Sequence, residues 1–208
     1  MYKLFGTQGS GSAMVEAALA ETGAAFEVVN IDLGSDEQRG DAYRRLNPTG
    51  KIPALVLPSG AVLAESAAML IILAERHPEA KLLPPTGSDE RALALRWLVS
   101  IVAEIYPMIE IRDYPKRFSI GEKGEETIKN IAQLRARERW DAIESAIAGT
   151  PWLLPSGFSV TDLAIANVSR WTIGKEWRIA NLPRIEAINT AILVRPKAGK
   201  VWTRHFGG

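Results

Sequence analysis

The first 80 residues alternate between strand-type and helix-type patterns, and beyond residue 88 the strand signals stop. That switch constrains the fold more than any other feature of the chain. Residues 3–6 form a short apolar strand, and residues 12–22 place Met14, Val15, Ala18 and Leu19 on one helical face ended by Gly23. Residues 26–33 are rich in β-branched side chains and predict a second strand. Ser35 with Gln38 has the spacing of a capping box opening a short polar helix. Residues 53–57 and 61–64 flank Pro58-Ser59-Gly60, the composition of a hairpin turn. Residues 66–76 form a strongly apolar helix stopped by His77-Pro78. The order β-α-β-α-β-β-α predicts a four-stranded mixed sheet, its first two strands parallel through a crossover helix, its last two an antiparallel hairpin.

The second half predicts helices over 88–106, 124–148, 159–174 and 183–194. In the longest, Ile128, Ile131, Leu134, Trp140, Ile143 and Ile147 share a face near the helical period. Ser159 and Asp162 read as a capping box with Asp in place of the usual Glu or Gln. The expected division is an α/β domain over 1–79, a Pro/Gly/Ser linker over 80–87 and an all-α domain over 88–208.

Composition removes several classes of function. There is no cysteine among the 208 residues, which excludes disulfides, thiolate metal sites and a cysteine nucleophile. With only His77 and His205, a histidine metal site is not expected; His77 reads as a helix-end residue, and His205 lies in the C-terminal tail. Residues 1–80 hold 6 Lys/Arg against 10 Asp/Glu, and the remainder hold 19 against 14. The basic residues of the second half alternate with acids at helical spacing, and no nucleic-acid motif accompanies them. No run of about 18 uncharged apolar residues predicts a membrane span, and the N-terminus lacks a secretory pattern. The expectation is a cytoplasmic protein without nucleic-acid or membrane partners.

Four segments, in this order and spacing, resemble the cytosolic glutathione S-transferases: LFGTQGSGS at 4–12, NPTGKIPAL at 47–55, LAES at 63–66 and GFSVTDLAIA at 157–166. The resemblance covers nearly the whole chain. It implies a thioredoxin-like first domain that binds glutathione, and a helical second domain that carries the electrophile. It implies that Pro53 is cis, with the backbone of Ile52 at the cysteinyl part of the tripeptide, and that the neighbouring Lys51 also binds glutathione. A peptide docked there would bind as an added strand. It also implies that Glu65 and Ser66 take the γ-glutamyl group. Ser66 would offer a helix N-terminus to the carboxylate, and Glu65 a countercharge to the ammonium.

The family generates a glutathione thiolate, and an alkyl thiol ordinarily titrates near about pH 8.5. Its classes use Tyr, Ser or Cys for this. Cysteine is absent here, and Tyr2 precedes the strand core. Ser10 is the first candidate, Ser12 the second and Thr7 a distant third. The remaining alternative is that both serines cap the helix and backbone N–H groups stabilise the thiolate. Gln8 replaces a common proline of this loop. By the same resemblance the electrophile sits between the domains, against Tyr106, Ile109, Arg112, Tyr114, Phe118 and Trp171. Arg112 would either stabilise the thiolate or bind an acidic substrate.

The implied function is conjugation of glutathione to soft hydrophobic electrophiles. The alternatives are a glutathione-dependent isomerase or dehalogenase, or a non-catalytic protein that binds ligands or partners on the same fold. Glutathione enters as co-substrate, with no metal or separate cofactor. A homodimer is expected from the family and from the apolar helix around residues 69–73.

Overall fold

In the computed structural model, which describes residues 1–172 and 174–207, Tyr2–Gly6 (β1) pairs in parallel with Phe26–Asn30 (β2). The crossover between them contains Ser12–Thr22 (α1). Ala54–Val56 (β3) then lies antiparallel to β1, and Val62–Leu63 (β4) antiparallel to β3. The sheet order is β2-β1-β3-β4, the predicted mixed sheet. The hairpin closes through the Leu57 N–H on the Ala61 carbonyl at 2.8 Å. Gly60 takes the positive φ of 89° that the turn requires.

Between β2 and β3 lie a single 3-10 turn and Asp41–Leu46 (α2), and after β4 comes Ser66–Arg76 (α3). The expected Ser35–Gln38 capping box does not form. Asp36 opens the turn without a side-chain cap, and the Ser35 hydroxyl instead donates to the Asp32 carbonyl.

The chain packs as two compact units. One comprises residues 1–83 with 191–208, and the other residues 84–190. The sequence reading assigned 191–208 to the helical domain, whereas here these residues return to the sheet unit. The reason lies in α1, which is buried on every side from Ser12 through Leu19, Glu16 included. One side of α1 packs on α3, and another on a helix over Ala198–Phe206 that the sequence reading missed. That last helix buries Ala198, Val201, Trp202 and His205, an i, i+3, i+4, i+7 stripe visible in the sequence. Glu21 secures the approach. Its carboxylate takes the Arg195 guanidinium through two 2.9 Å bonds and the Ala198 N–H at 3.1 Å. Burial raises the Glu21 carboxyl, but Arg195, the Ala198 N–H and Lys197 outweigh it and hold it below the usual value.

The helical unit begins with Asp89–Ser100 (α4), continues through a π turn over Ile101–Ile105, and runs on as Tyr106–Asp113 (α5). The predicted stop near Tyr106 is thus overrun. Pro107 lacks an N–H, and the wide turn before it lets the Tyr106 N–H reach Ile101 five residues back. Among the described residues this run alone is long and apolar enough to cross a membrane by length and composition. It also contains Arg96 and Glu104, the latter paired with Arg139 of Glu122–Ala146 (α6). Ala94, Trp97, Leu98, Ile101 and Ile105 are buried, in a run that packs on α6 and on Val160–Thr172 (α7). The predicted continuation of α7 through Ile173 lies outside the described residues.

Two further helices follow, Lys175–Asn181 (α8), which the sequence reading missed, and Pro183–Leu193 (α9); the C-terminal helix is α10. At the start of α7 the capping pair forms around a buried carboxylate. Asp162 accepts from the Ser159 N–H at 2.7 Å, the Ser159 hydroxyl at 3.1 Å and the Leu153 N–H at 2.8 Å.

Candidate functional site

Strand register alone assembles the site of the sheet unit. Phe5 pairs with Ala54, so the loop after Gly6 lies beside Ile52-Pro53. Leu55 pairs with Leu63, so the chain leaving β4 toward Glu65 and Ser66 returns to the same end. Both α1 and α3 begin there. The site therefore collects two helix N-termini with their partial positive charge, an environment that favours anions.

Each segment is held by identifiable bonds. The Ile52–Pro53 peptide is cis, as the resemblance implied. Ile52 is half-buried and Pro53 buried. The preceding Lys51 is exposed, and its carbonyl accepts from the Tyr43 hydroxyl at 2.9 Å and the Asn47 amide at 2.7 Å. Burial pushes the Tyr43 hydroxyl up to about 12, so it stays protonated and donating at neutral pH. Sequence reading did not single out Tyr43, although Asn47 lies in the segment that carries the resemblance. Ser66 is buried as the first residue of α3. Glu65 is exposed and sits at φ 65°, ψ 107°, an uncommon conformation for a residue with a side chain.

The two serines differ in surroundings. Ser12 is 1% exposed and lies against Gly6, where any Cβ would overlap it. Ser10 is half-buried at the mouth of α1. The Ser10 and Ser12 hydroxyls lie 2.7 and 3.0 Å from the Thr7 carbonyl and 2.8 Å from each other, and Ser10 Oγ accepts the Ser12 N–H at 3.2 Å. The N-cap itself is Gly11, with no side-chain cap bond, so the expected capping by Ser12 is not observed. Thr7 Oγ1 turns instead to Asn30 Oδ1, at 3.1 Å. Tyr2 is buried, with its hydroxyl 3.0 Å from His77 Nε2.

The C-terminal helix supplies residues that sequence reading passed over. Gln8 Nε2 donates to the Arg204 carbonyl at 2.8 Å, and the Gly9 N–H donates to His205 Nδ1 at 3.1 Å. Glu16 of α1, 2% exposed, faces His205 Nε2 at 2.8 Å and pairs with Arg204.

In the helical unit, Tyr106 and Trp171 stack with ring centroids 6.0 Å apart and planes 17° from parallel. Ile109 and Arg112 are half-buried, and Arg112 is ion-paired with Asp113 at 2.7 Å. Tyr114 and Phe118 are exposed, and Arg117 lies over the Tyr114 ring at 4.0 Å. Among the described residues no group of three His, Asp or Glu side chains could hold a metal ion.

A thioredoxin-like sheet unit joined to a helical unit, with a cis-proline and two helix N-termini at one end of the sheet, defines the class. Residues 12–76 match the family model described as glutathione S-transferase, N-terminal domain. The chain is 30% identical to glutathione S-transferase Z1 of Arabidopsis thaliana, over 86% of this chain and 71% of that one. It is 29% identical to the uncharacterized GST-like protein YncG of Escherichia coli strain K12, over 99% and 98% of the two chains. A solved glutathione transferase from Methylococcus capsulatus strain Bath superposes with a TM-score of 0.81 at 31% identity, covering 98% of each chain. The chain belongs to the glutathione S-transferase family. The expectation of an enzyme, a glutathione transferase, agrees with the names these relatives carry.

Proposed function

We propose that this protein conjugates the thiolate of glutathione to soft hydrophobic electrophiles, with Ser10 as the hydroxyl that stabilises the thiolate. One observation carries the choice: the Thr7 carbonyl is within reach of both serine hydroxyls, and the outer one is half-buried while the inner one is sealed. When the Ser10 O–H turns to a bound sulfur, the Ser12 O–H still satisfies Thr7, and no buried acceptor is orphaned. A hydroxyl donor at a helix N-terminus favours the anion by hydrogen bonding and by the dipole.

In this reading the γ-glutamyl carboxylate takes the Ser66 N–H, its ammonium faces Glu65, and the cysteinyl backbone pairs with Ile52 beside Lys51 and Pro53. Bringing thiolate and electrophile together supplies much of the acceleration. The stacked Tyr106–Trp171 pair offers an apolar surface for the second substrate, with Ile109, Arg112, Tyr114 and Phe118 on the same stretch of chain.

A detoxifying role in the cytoplasm accompanies this reading. So does a homodimer. Met69, Leu70 and Leu73 are buried inside the sheet unit, while Ile71 and Ile72 of the same helix are half-buried, and Leu93 and Val99 of α4, 46% and 53% exposed, supply further apolar surface. Light scattering at micromolar concentration tests the dimer, and a monomer removes it. The activity is tested by thiol consumption with glutathione across aryl halides, epoxides and enones. Retention on immobilised glutathione with no consumption in any of them would replace the enzyme by a ligand-binding protein.

A further inference from the structure

We infer that His205 is a positioning residue, whose ring holds the Gly9 amide and thereby the loop that presents Ser10. The inference rests on the proposed role of Ser10 but on separate contacts. His205 lies in α10, 196 residues from the amide it accepts, and its side chain is 5% exposed. Because Gly9 supplies an N–H to Nδ1, that nitrogen carries no proton, and Nε2–H donates to Glu16. Gln8, next in the same loop, is tied to the same helix through the Arg204 carbonyl. Two successive residues of the loop are thus fastened to one turn of α10.

The charged groups facing the ring are Glu16 from α1 and Arg204 from α10 itself, while the loop contributes none. A lone buried carboxylate against Nε2 would favour the imidazolium, whose Nδ1–H would repel the Gly9 N–H. Arg204 offsets that carboxylate. Burial and the Arg204 charge push His205 down to about 4, so the ring is neutral and accepting near pH 7. Gly9 itself sits at φ +73°, a conformation that favours glycine, so a fastening at its N–H fixes where the next residue, Ser10, begins. A donor fixed before the ligand arrives needs no ordering during the reaction.

The test compares His205→Ala, His205→Asn and His205→Gln in the full chain. Asn places an acceptor near the position of Nδ1, whereas the Gln amide extends toward Glu16 and leaves Gly9 without its acceptor. Two readouts apply: hydrogen exchange of the Gly9 amide without ligand, and the ultraviolet titration of bound glutathione thiol. In His205→Ala we expect Gly9 to exchange roughly tenfold faster, the loss of about one hydrogen bond. The bound thiol should titrate at higher pH and kcat should fall, with the KM for electrophile unchanged. His205→Asn should recover most of each effect, and should the Ala variant not fold, His205→Gln carries the comparison in its place. Unchanged Gly9 exchange, or an Asn variant as impaired as the Ala variant, overturns the inference. So does an unmoved thiol titration in His205→Ala alongside a shifted one in Ser10→Ala. If Ser10→Ala itself leaves the titration unmoved, the Ser10 reading falls, and Gly9 exchange with its rescue by Asn still decides the His205 contact.

Discussion

Gly6 and Ser12 are pressed together at the end of β1, with the serine side chain occupying the space a Cβ on residue 6 would need. Gly6→Ala should therefore destabilise the protein by about 1–3 kcal/mol through overpacking. Adding Ser12→Gly should return part of that loss, since it empties the contested volume. Denaturant unfolding of both single variants and the double variant measures the coupling, and strict additivity would show that the two positions do not compete.

The serines separate by titration. Ser10→Ala should raise the pKa of the bound glutathione thiol by about one unit, equivalent to about 1.4 kcal/mol of lost thiolate stabilisation, with glutathione affinity nearly intact. Ser12→Ala should leave that titration in place and cost about 1 kcal/mol of stability, the value of one buried hydrogen bond. A shift confined to the Ser12 variant reverses the assignment. No shift in either leaves the backbone N–H groups of α1 as the stabilising feature.

Glu65→Ala should raise the KM for glutathione at least tenfold while changing the response to electrophile little. Removing one partner of a charge-assisted bond costs about 1.5–3 kcal/mol. Initial-rate kinetics with each substrate varied in turn make the measurement. An unchanged glutathione constant means that the γ-glutamyl group binds elsewhere.

Two buried groups give opposite pH dependences. His205 is held at about 4, below its ordinary 6.5, so the unfolded chain binds the extra proton between those values. Its contribution to stability is complete above about pH 6.5 and is lost as pH falls toward 4. Burial raises Asp162 from 3.8 to about 6, more than its three donors lower it. Its contribution is complete below about pH 3.8 and is lost as pH rises through 6. Each shift corresponds to a stability change on the order of 3 kcal/mol across its window. Wild type minus His205→Asn should therefore gain stability with rising pH from 4 to 6.5, and wild type minus Asp162→Asn should lose it. Parallel slopes would contradict one assignment.

The sheet unit was legible because glycine and proline punctuate it: Gly23, Pro53, Gly60 and Pro78 stand at element boundaries where local backbone chemistry decides the outcome. Residues 52, 53, 65 and 66 also stand at element ends within short recognisable segments, so their placement at one end of the sheet follows from the same local chemistry. The continuation of the helical run past Tyr106 depends on the π turn over 101–105, which no single residue signals. The stripe of α10 was present in the sequence, but its partner was not. Nothing near His205 announces Gly9 or Glu16, nor does Arg195 announce Glu21 across 174 residues.

The return of residues 191–208 to the sheet unit sets an order of events at the ribosome. The strands and helices of residues 1–83 emerge before residues 84–190, yet one flank of α1 has no cover until residues 198–206 are made. Residues 84–190, the other compact unit, are made in between. At roughly 5–20 residues per second, the sheet unit waits about 6–25 seconds for the helix that covers α1. The unit whose sheet is made before residues 84–190 is closed by a helix made after them.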